Sequence, residues 1–238
     1  MSKPHIPLDE LRASVAACRR CPLADGRTQT VFGVGNPHAR VLFIGEAPGR
    51  NEDAQGEPFV GAAGQYLNEL LGLAGLRRED VFIANILKCR PPGNRDPRPE
   101  EIQACTPFLR EQTRTIDPEV LVTLGKFSTQ FVLKTQVGIT RLHGRTLRAG
   151  KFLVFPIFHP AAALYDGAKR EALENDFVTL GQVLAQLDER RAQESAMAGA
   201  VGAVAVAGTA EAAGAAPQGA PIKETGQTTN QTEGNPRD

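Results

Sequence analysis

The sequence predicts an α/β fold: a three-layer sandwich whose mostly parallel, four-stranded central sheet is flanked by helices. Four short apolar runs rich in β-branched and aromatic residues alternate with segments of helical periodicity. Strand runs with helices before and after them are covered on both faces, as parallel sheets are. Unusual polar residues also follow three of the runs, and open α/β sheets bind ligands outside the carboxyl ends of their strands.

The elements follow in order. Val41-Leu-Phe-Ile44 is the first strand and Gly45-Glu46-Ala47-Pro48-Gly49 leaves its end. Ala62 to Leu73 reads as a helix with Tyr66, Leu67, Leu70, Leu71 and Leu73 on one face. Val81 to Ile86 is the second strand, with Asn85 near its end. The Pro91–Pro97 loop is too irregular for a core helix, and Pro99-Glu-Glu-Ile102 then opens one, with proline and acids where the helix dipole favours them. Val120 to Leu124 is the third strand, followed by a helix over Lys126 to Leu133. Phe152 to Phe155, continuing to Phe158, is the fourth, and His159-Pro160 follows it. Lys169 to Arg191 reads as the last helix, with Leu173, Phe177, Leu180, Val183, Leu184 and Leu187 as its apolar residues.

Composition divides the 238 residues into a domain, 1–191, and a tail, 192–238. The tail has 13 Ala, 7 Gly and no aromatic residue, too little bulky apolar surface to offset the entropy of ordering, and is expected to be disordered. Its Ala/Gly/Val run from Ala196 to Ala216 is interrupted by Glu211 and glycines, so no membrane span or membrane partner is expected. Lysines and arginines number 27 and acidic residues 27, and nothing global marks a nucleic-acid or membrane protein. Locally the picture changes. Between Val120 and Tyr165 there is no Asp or Glu, while Lys126, Lys134, Arg141, Arg145, Arg148 and Lys151 sum to +6, a face suited to phosphates.

Met1 to Leu11 carries Asp9 and Glu10 and no apolar signal core, so a reducing, cytoplasmic compartment is expected. There, four cysteines point to metal ligands rather than disulfides. Cys18-Arg-Arg-Cys21 is a C-x2-C pair, and Cys89 and Cys105 complete the set. The spacing suits tetrahedral zinc and an iron-sulfur cluster equally. Either would pin the N-terminal segment, the Pro91–Pro97 loop and the following helix together, a structural role. Gly45 to Gly49 lacks the Gly-Lys-Ser/Thr of a P-loop, and no G-x-G-x-x-G opens a helix after a strand, so nucleotide hydrolysis is disfavoured.

Gly45-Glu-Ala-Pro-Gly49, Glu52-Asp53, Gly56-Glu-Pro-Phe-Val-Gly61, Asn85-Ile-Leu-Lys-Cys89-Arg-Pro-Pro and His159-Pro-Ala-Ala, in this order, resemble the family 4 uracil-DNA glycosylases. The resemblance covers roughly Leu11 to Leu187 with all four cysteines and leaves out the tail. It implies a uracil-DNA glycosylase-like fold and one 4Fe-4S cluster on Cys18, Cys21, Cys89 and Cys105. It also implies action on uracil-containing DNA, single- or double-stranded, that releases uracil and leaves an abasic site; a monomer is expected, and since no lysine is placed with any motif as a Schiff-base nucleophile, strand cleavage is not. Residue by residue, Phe59 would stack on the flipped base, Asn85 would read its polar edge and His159 would face its O2. Glu46, with the backbone of Gly45 and Ala47, would line the base pocket and orient the attacking water; other families of the superfamily carry Asp or Asn at this motif.

Arg141 and Arg145 are candidate backbone contacts, and Leu142 and Leu164 are alternative wedges into the base stack. Two further readings stay open. Some relatives crosslink to uracil through a histidine in a basic loop, and His143 sits in such a loop. A metal-stapled DNA-binding module would explain the cysteines and the basic window, but not Glu46, Asn85 and His159.

Overall fold

Residues along the predicted strands alternate between two apolar clusters, and this alternation builds the layers. The computed structural model describes residues 6–208, with side chains through residue 197. Its elements are α1 (Leu8–Ala16), α2 (Leu23–Gly26), β1 (Val34–Gly35), β2 (Val41–Gly45), α3 (Arg50–Gln55), α4 (Ala62–Leu73), β3 (Phe82–Asn85), α5 (Pro99–Ile116), β4 (Val120–Leu124), α6 (Lys126–Leu133), α7 (Ile139–Leu142), β5 (Leu147–Ala149), β6 (Phe152–Ile157), α8 (Pro160–Ala163) and α9 (Gly167–Gly208). A single 3-10 turn, Pro92–Asn94, interrupts the loop before α5.

Val41 and Phe43 of β2, Ile83 of β3, Val122 of β4 and Phe155 of β6 face Leu67, Leu70, Phe177 and Leu180 of α4 and α9. Leu42, Ile44, Phe82, Leu121 and Val154 face the other way, onto Leu11, Val15, Phe108 and Leu109 of α1 and α5. Period-two alternation with both faces buried is the signature of a covered parallel sheet, and the three predicted layers are present.

The sheet has six strands in the order β1-β3-β2-β4-β6-β5. The four central strands are parallel, as expected. The two further strands, β1 and β5, pair antiparallel at the edges. They escape sequence reading because they hold two and three residues, too few to show a period. Because β2 pairs β3 on one side and β4 on the other, the chain order reverses at β2, the place where open α/β sheets bind ligands.

Helix α5 begins at the predicted Pro99, where the Glu101 carboxylate accepts a hydrogen bond from Arg98 N–H at 2.9 Å. Helix α9 runs past Arg191 to Gly208, so the segment expected to be disordered from Ala192 is helical that far. Alanine is the best helix former and needs no buried face to favour a helix. The rest of the expected disordered tail, 209–238, lies outside the described residues. Among the described residues, those through Asp188 form one unit by contacts and those from Glu189 onward a second. Among the described residues no helix is long and apolar enough to cross a membrane.

Candidate active site

Gly45 and Asn85 end β2 and β3 as register partners. The ladder continues one step beyond, with Ile86 N–H donating to Gly45 C=O and Leu87 N–H to Glu46 C=O, both at 3.0 Å. On the other side of the rim Gly125 N–H donates to Ile157 C=O at 2.9 Å, two residues before His159. The ends of β2, β3 and β6 thus converge on a cavity of about 370 Å³. Glu46, Ala47, Phe59, Asn85 and His159 line it, as does Glu52. Gly45 lies behind the wall: a Cβ there would stand 2.2 Å from Asn85 Oδ1 and 3.0 Å from the Phe59 ring. Only glycine leaves both side chains in place.

Asn85 is 2% exposed, and among the described residues its Oδ1 is the buried side-chain atom left without a hydrogen-bond partner. Such an atom costs about 1–3 kcal/mol, and Asn85 is one of the residues that line the cavity. Phe59 is buried with φ of 56°, a left-handed conformation rare for a bulky residue. Two features hold it there. Gly64 lets the start of α4 close on the loop, since a Cβ would meet Phe59 C=O at 1.8 Å. The Glu52 carboxylate accepts from Val60 N–H and Gly61 N–H at 3.1 and 3.3 Å and from Gly49 N–H at 3.1 Å, tying the Phe59 loop to the loop after β2. The Phe59 ring lies 5.5 Å from that of His159, inclined by 27°.

His159 caps α8: its Nδ1 accepts from Ala161 N–H at 3.2 Å. In a neutral ring the proton then sits on Nε2. His159 is half-buried and lines the cavity. That burial pushes its pKa down to about 4, against the opposing charge of Glu52, so His159 is neutral at pH 7 with Nε2–H as its donor. Glu46 moves the other way. Burial, assisted by the charge of Asp96, raises its carboxyl to about 7. Among the described residues no lysine lines the cavity.

All four cysteines border one narrow, apolar cavity between the N-terminal segment and α5. Burial raises both Cys89 and Cys105, the latter to about 11. Arg27 donates to Cys89 Sγ at 3.4 Å, Cys18 C=O at 2.8 Å and Ala16 C=O at 3.0 Å. Lys88 N–H donates to Cys105 Sγ at 3.2 Å. Among the described residues no three Cys, His, Asp or Glu side chains close on a point as a single ion requires. Four cysteine sulfurs bordering one void, with N–H donors and the cations Arg20, Arg27 and Lys88 beside it, supply a donor set that suits a metal centre.

The candidate DNA contacts lie apart from the cavity walls. Arg141 and Arg145 are exposed and, among the described residues, meet no carboxylate. Elsewhere the basic window is partly compensated, with Lys151 paired to Asp117. Leu142 is only 9% exposed, its short helix closing against the sheet, which leaves it no side chain to present to a base stack. Leu164 is half-buried against the core. The next residue, Tyr165, is 93% exposed, and no hydrophobic periodicity singles it out in the sequence. His143 does not line the cavity; its Nδ1 lies 2.9 Å from Asp176 Oδ2 and its ring packs on Phe158. Sequence reasoning also missed any role for Glu52, although it falls within a quoted motif, and for Lys88, hidden in an apolar strand exit.

Comparison with known proteins bears on the whole arrangement. Residues 32–180 match the family model of the uracil DNA glycosylase superfamily. The type-4 uracil-DNA glycosylase of Archaeoglobus fulgidus is 48% identical over 184 residues, 74% of this chain and 92% of that protein. That of Saccharolobus solfataricus is 45% identical, covering 74% of this chain and 86% of its own. The type-5 uracil-DNA glycosylase of Pyrobaculum aerophilum is more distant, 29% identical over 68% of this chain and 87% of its own. With the rim of β2, β3 and β6 built as described, the chain belongs to the uracil-DNA glycosylase superfamily and, within it, to the type-4 group.

Proposed function

We propose that the protein excises uracil from DNA, hydrolysing the N-glycosidic bond of an extruded deoxyuridine and leaving an abasic site for base excision repair. A base in a duplex stack is out of reach, so the nucleotide must flip at a cost of a few kcal/mol. Stacking on Phe59, roughly 1–3 kcal/mol, offsets part of this, and phosphate contacts from Arg141 and Arg145 the rest.

The unpartnered Oδ1 of Asn85 carries the reading. It would accept the imide N3–H of uracil while Nδ2 donates to O4. Cytosine presents an acceptor and a donor at those positions and would leave the buried amide mispaired. As the bond to the sugar breaks, negative charge gathers on uracil O2 and positive charge on the sugar. A neutral His159 with its proton on Nε2 donates to O2, an interaction stronger in the transition state than in the ground state. Glu46, ionised above about pH 7, orients water and faces the developing cation. Among the described residues no lysine lines the cavity, so no Schiff base is expected and the enzyme would be monofunctional.

Cys18, Cys21, Cys89 and Cys105 would hold a 4Fe-4S cluster, which supplies a structural staple across the N-terminal segment, the loop after β3 and α5. Uracil-containing DNA, single- or double-stranded, is the partner, met by a monomer in the cytoplasm. Asn85→Ala tests the reading: excision from a uracil oligonucleotide and inhibition by free uracil should both fall about 10- to 100-fold. Unchanged inhibition by free uracil would sink the assignment of Asn85.

A further inference from the structure

Lys88 is the one fully buried ammonium of the described residues, 1% exposed. Its Nζ donates to Asn85 C=O at 2.8 Å and to Gln112 Oε1 at 2.6 Å. Both acceptors are neutral, and among the described residues no carboxylate contacts it. Hydrogen bonds to neutral oxygens satisfy the protons of an ammonium but not its charge, and burying a charge without a counter-charge is among the costliest arrangements in a protein. The groups nearby that can become anionic are sulfurs: Cys89 is the next residue, and Cys105 Sγ already accepts the backbone N–H of Lys88. Gln112 stands seven residues, two turns, beyond Cys105 on α5, and its Nε2 donates to Phe32 C=O at 2.9 Å. That bond turns the Gln112 oxygen toward the ammonium.

We infer that Lys88 is the buried counter-cation of the four-cysteine centre and, through its hydrogen bond to Asn85 C=O, a positioning residue for the amide that reads the base. The inference rests on the reading of the cysteines as metal ligands. Metal-bound thiolates are anionic, so loading the centre supplies the charge that Lys88 lacks. Because the same ammonium grips Asn85 C=O, the metal centre and the floor of the base cavity share one electrostatic unit across β3.

Two variants of the full-length, metal-loaded protein separate the two halves of the inference. Lys88→Met keeps the stem but removes the charge and the grip on Asn85. Gln112→Glu keeps Lys88 and its bond to Asn85 but sets a carboxylate on the ammonium. Iron, sulfide and zinc are assayed first, followed by the rate of metal loss to a chelator, the reduction potential where iron is present, and the affinity for free uracil. Both variants should lose metal about 10- to 100-fold faster and shift the potential to more negative values, since a cation stabilises the more negative reduced centre. Only Lys88→Met should also weaken uracil binding.

Wild-type rates and potential in a folded Lys88→Met protein would overturn the counter-cation, and unaltered uracil binding there would overturn the positioning role. If Lys88→Met does not fold, Gln112→Glu decides the first point by the same criteria, and its unchanged uracil affinity alongside faster metal loss supports the second, while weakened uracil binding refutes it. Zinc without iron defeats the cluster reading alone, the rates of metal loss still deciding for Lys88. A folded, active protein with no metal defeats both.

Discussion

Glu46 and His159 face one cavity, yet burial moves their ionisation in opposite senses because it disfavours the charged form of each. The histidine stays neutral down to about pH 4, while the carboxyl keeps its proton up to about pH 7. Excision should therefore rise with pH through a single ionisation near 7, and His159 should contribute no limb above pH 5. Asp96→Asn removes a charge that raises Glu46, so its activity limb should move to lower pH; a pH profile identical to wild type would refute this coupling. The sign for stability is opposite. An unfolded Glu46 ionises near 4.5 and the folded one near 7, so its contribution to stability is lost as pH rises through that window. Glu46→Gln should thus melt higher than wild type at pH 8 while losing activity. Glu46 and His159 were legible in the sequence through the motifs Gly45-Glu-Ala-Pro-Gly49 and His159-Pro-Ala-Ala, on which the family resemblance rests. Their protonation was not, since it depends on Ala161 N–H, on Asp96 and on the depth of the cavity.

The short segment between α8 and α9 shows what elements add. Leu164 packs against the core, and Asp166 fixes the start of α9 by accepting from Lys169 N–H at 3.1 Å. Tyr165, between them, is held outward by its neighbours, one turn of chain beyond Ala161 on the cavity rim. An exposed aromatic on a braced loop suits stacking against a base beside the vacated position. Tyr165→Ala should slow excision from duplex more than from single strands. Arg145→Ala should weaken both and lower the salt dependence of binding by about one counterion. Equal effects of Tyr165→Ala on the two substrates would contradict the stacking role. The sequence pointed to Leu142 and Leu164 because wedges are apolar, but burial depends on tertiary packing, and it leaves Leu142 unavailable. Strands β1 and β5 were invisible for a related reason: edge pairs of two or three residues are set by the strand beside them.

At the scale of the molecule, two apolar clusters hold the sheet and a third device holds the N-terminal segment. Arg27 and the four cysteines bridge α1, α2, the exit of β3 and α5. Removing the metal should lower Tm and open the chain around Arg19 and Arg20 to trypsin before the sheet unfolds. A metal-free protein with unchanged Tm and trypsin resistance would show that the centre is no staple. The three-layer sandwich was legible because short continuous apolar runs alternate with segments of helical periodicity from Val41 to Leu187. The end of α9 was not, because alanine and glycine carry no periodic signal from which a boundary can be drawn.

The central claim is that this rim of strand ends excises uracil. The most direct measurement is single-turnover cleavage of a labelled oligonucleotide bearing one uracil, with and without alkali, beside a thymine control. Cleavage at uracil alone, and only after alkali, is the result expected of a monofunctional glycosylase with Asn85 reading the base. An intact strand after alkali, from folded and metal-loaded protein, would contradict it.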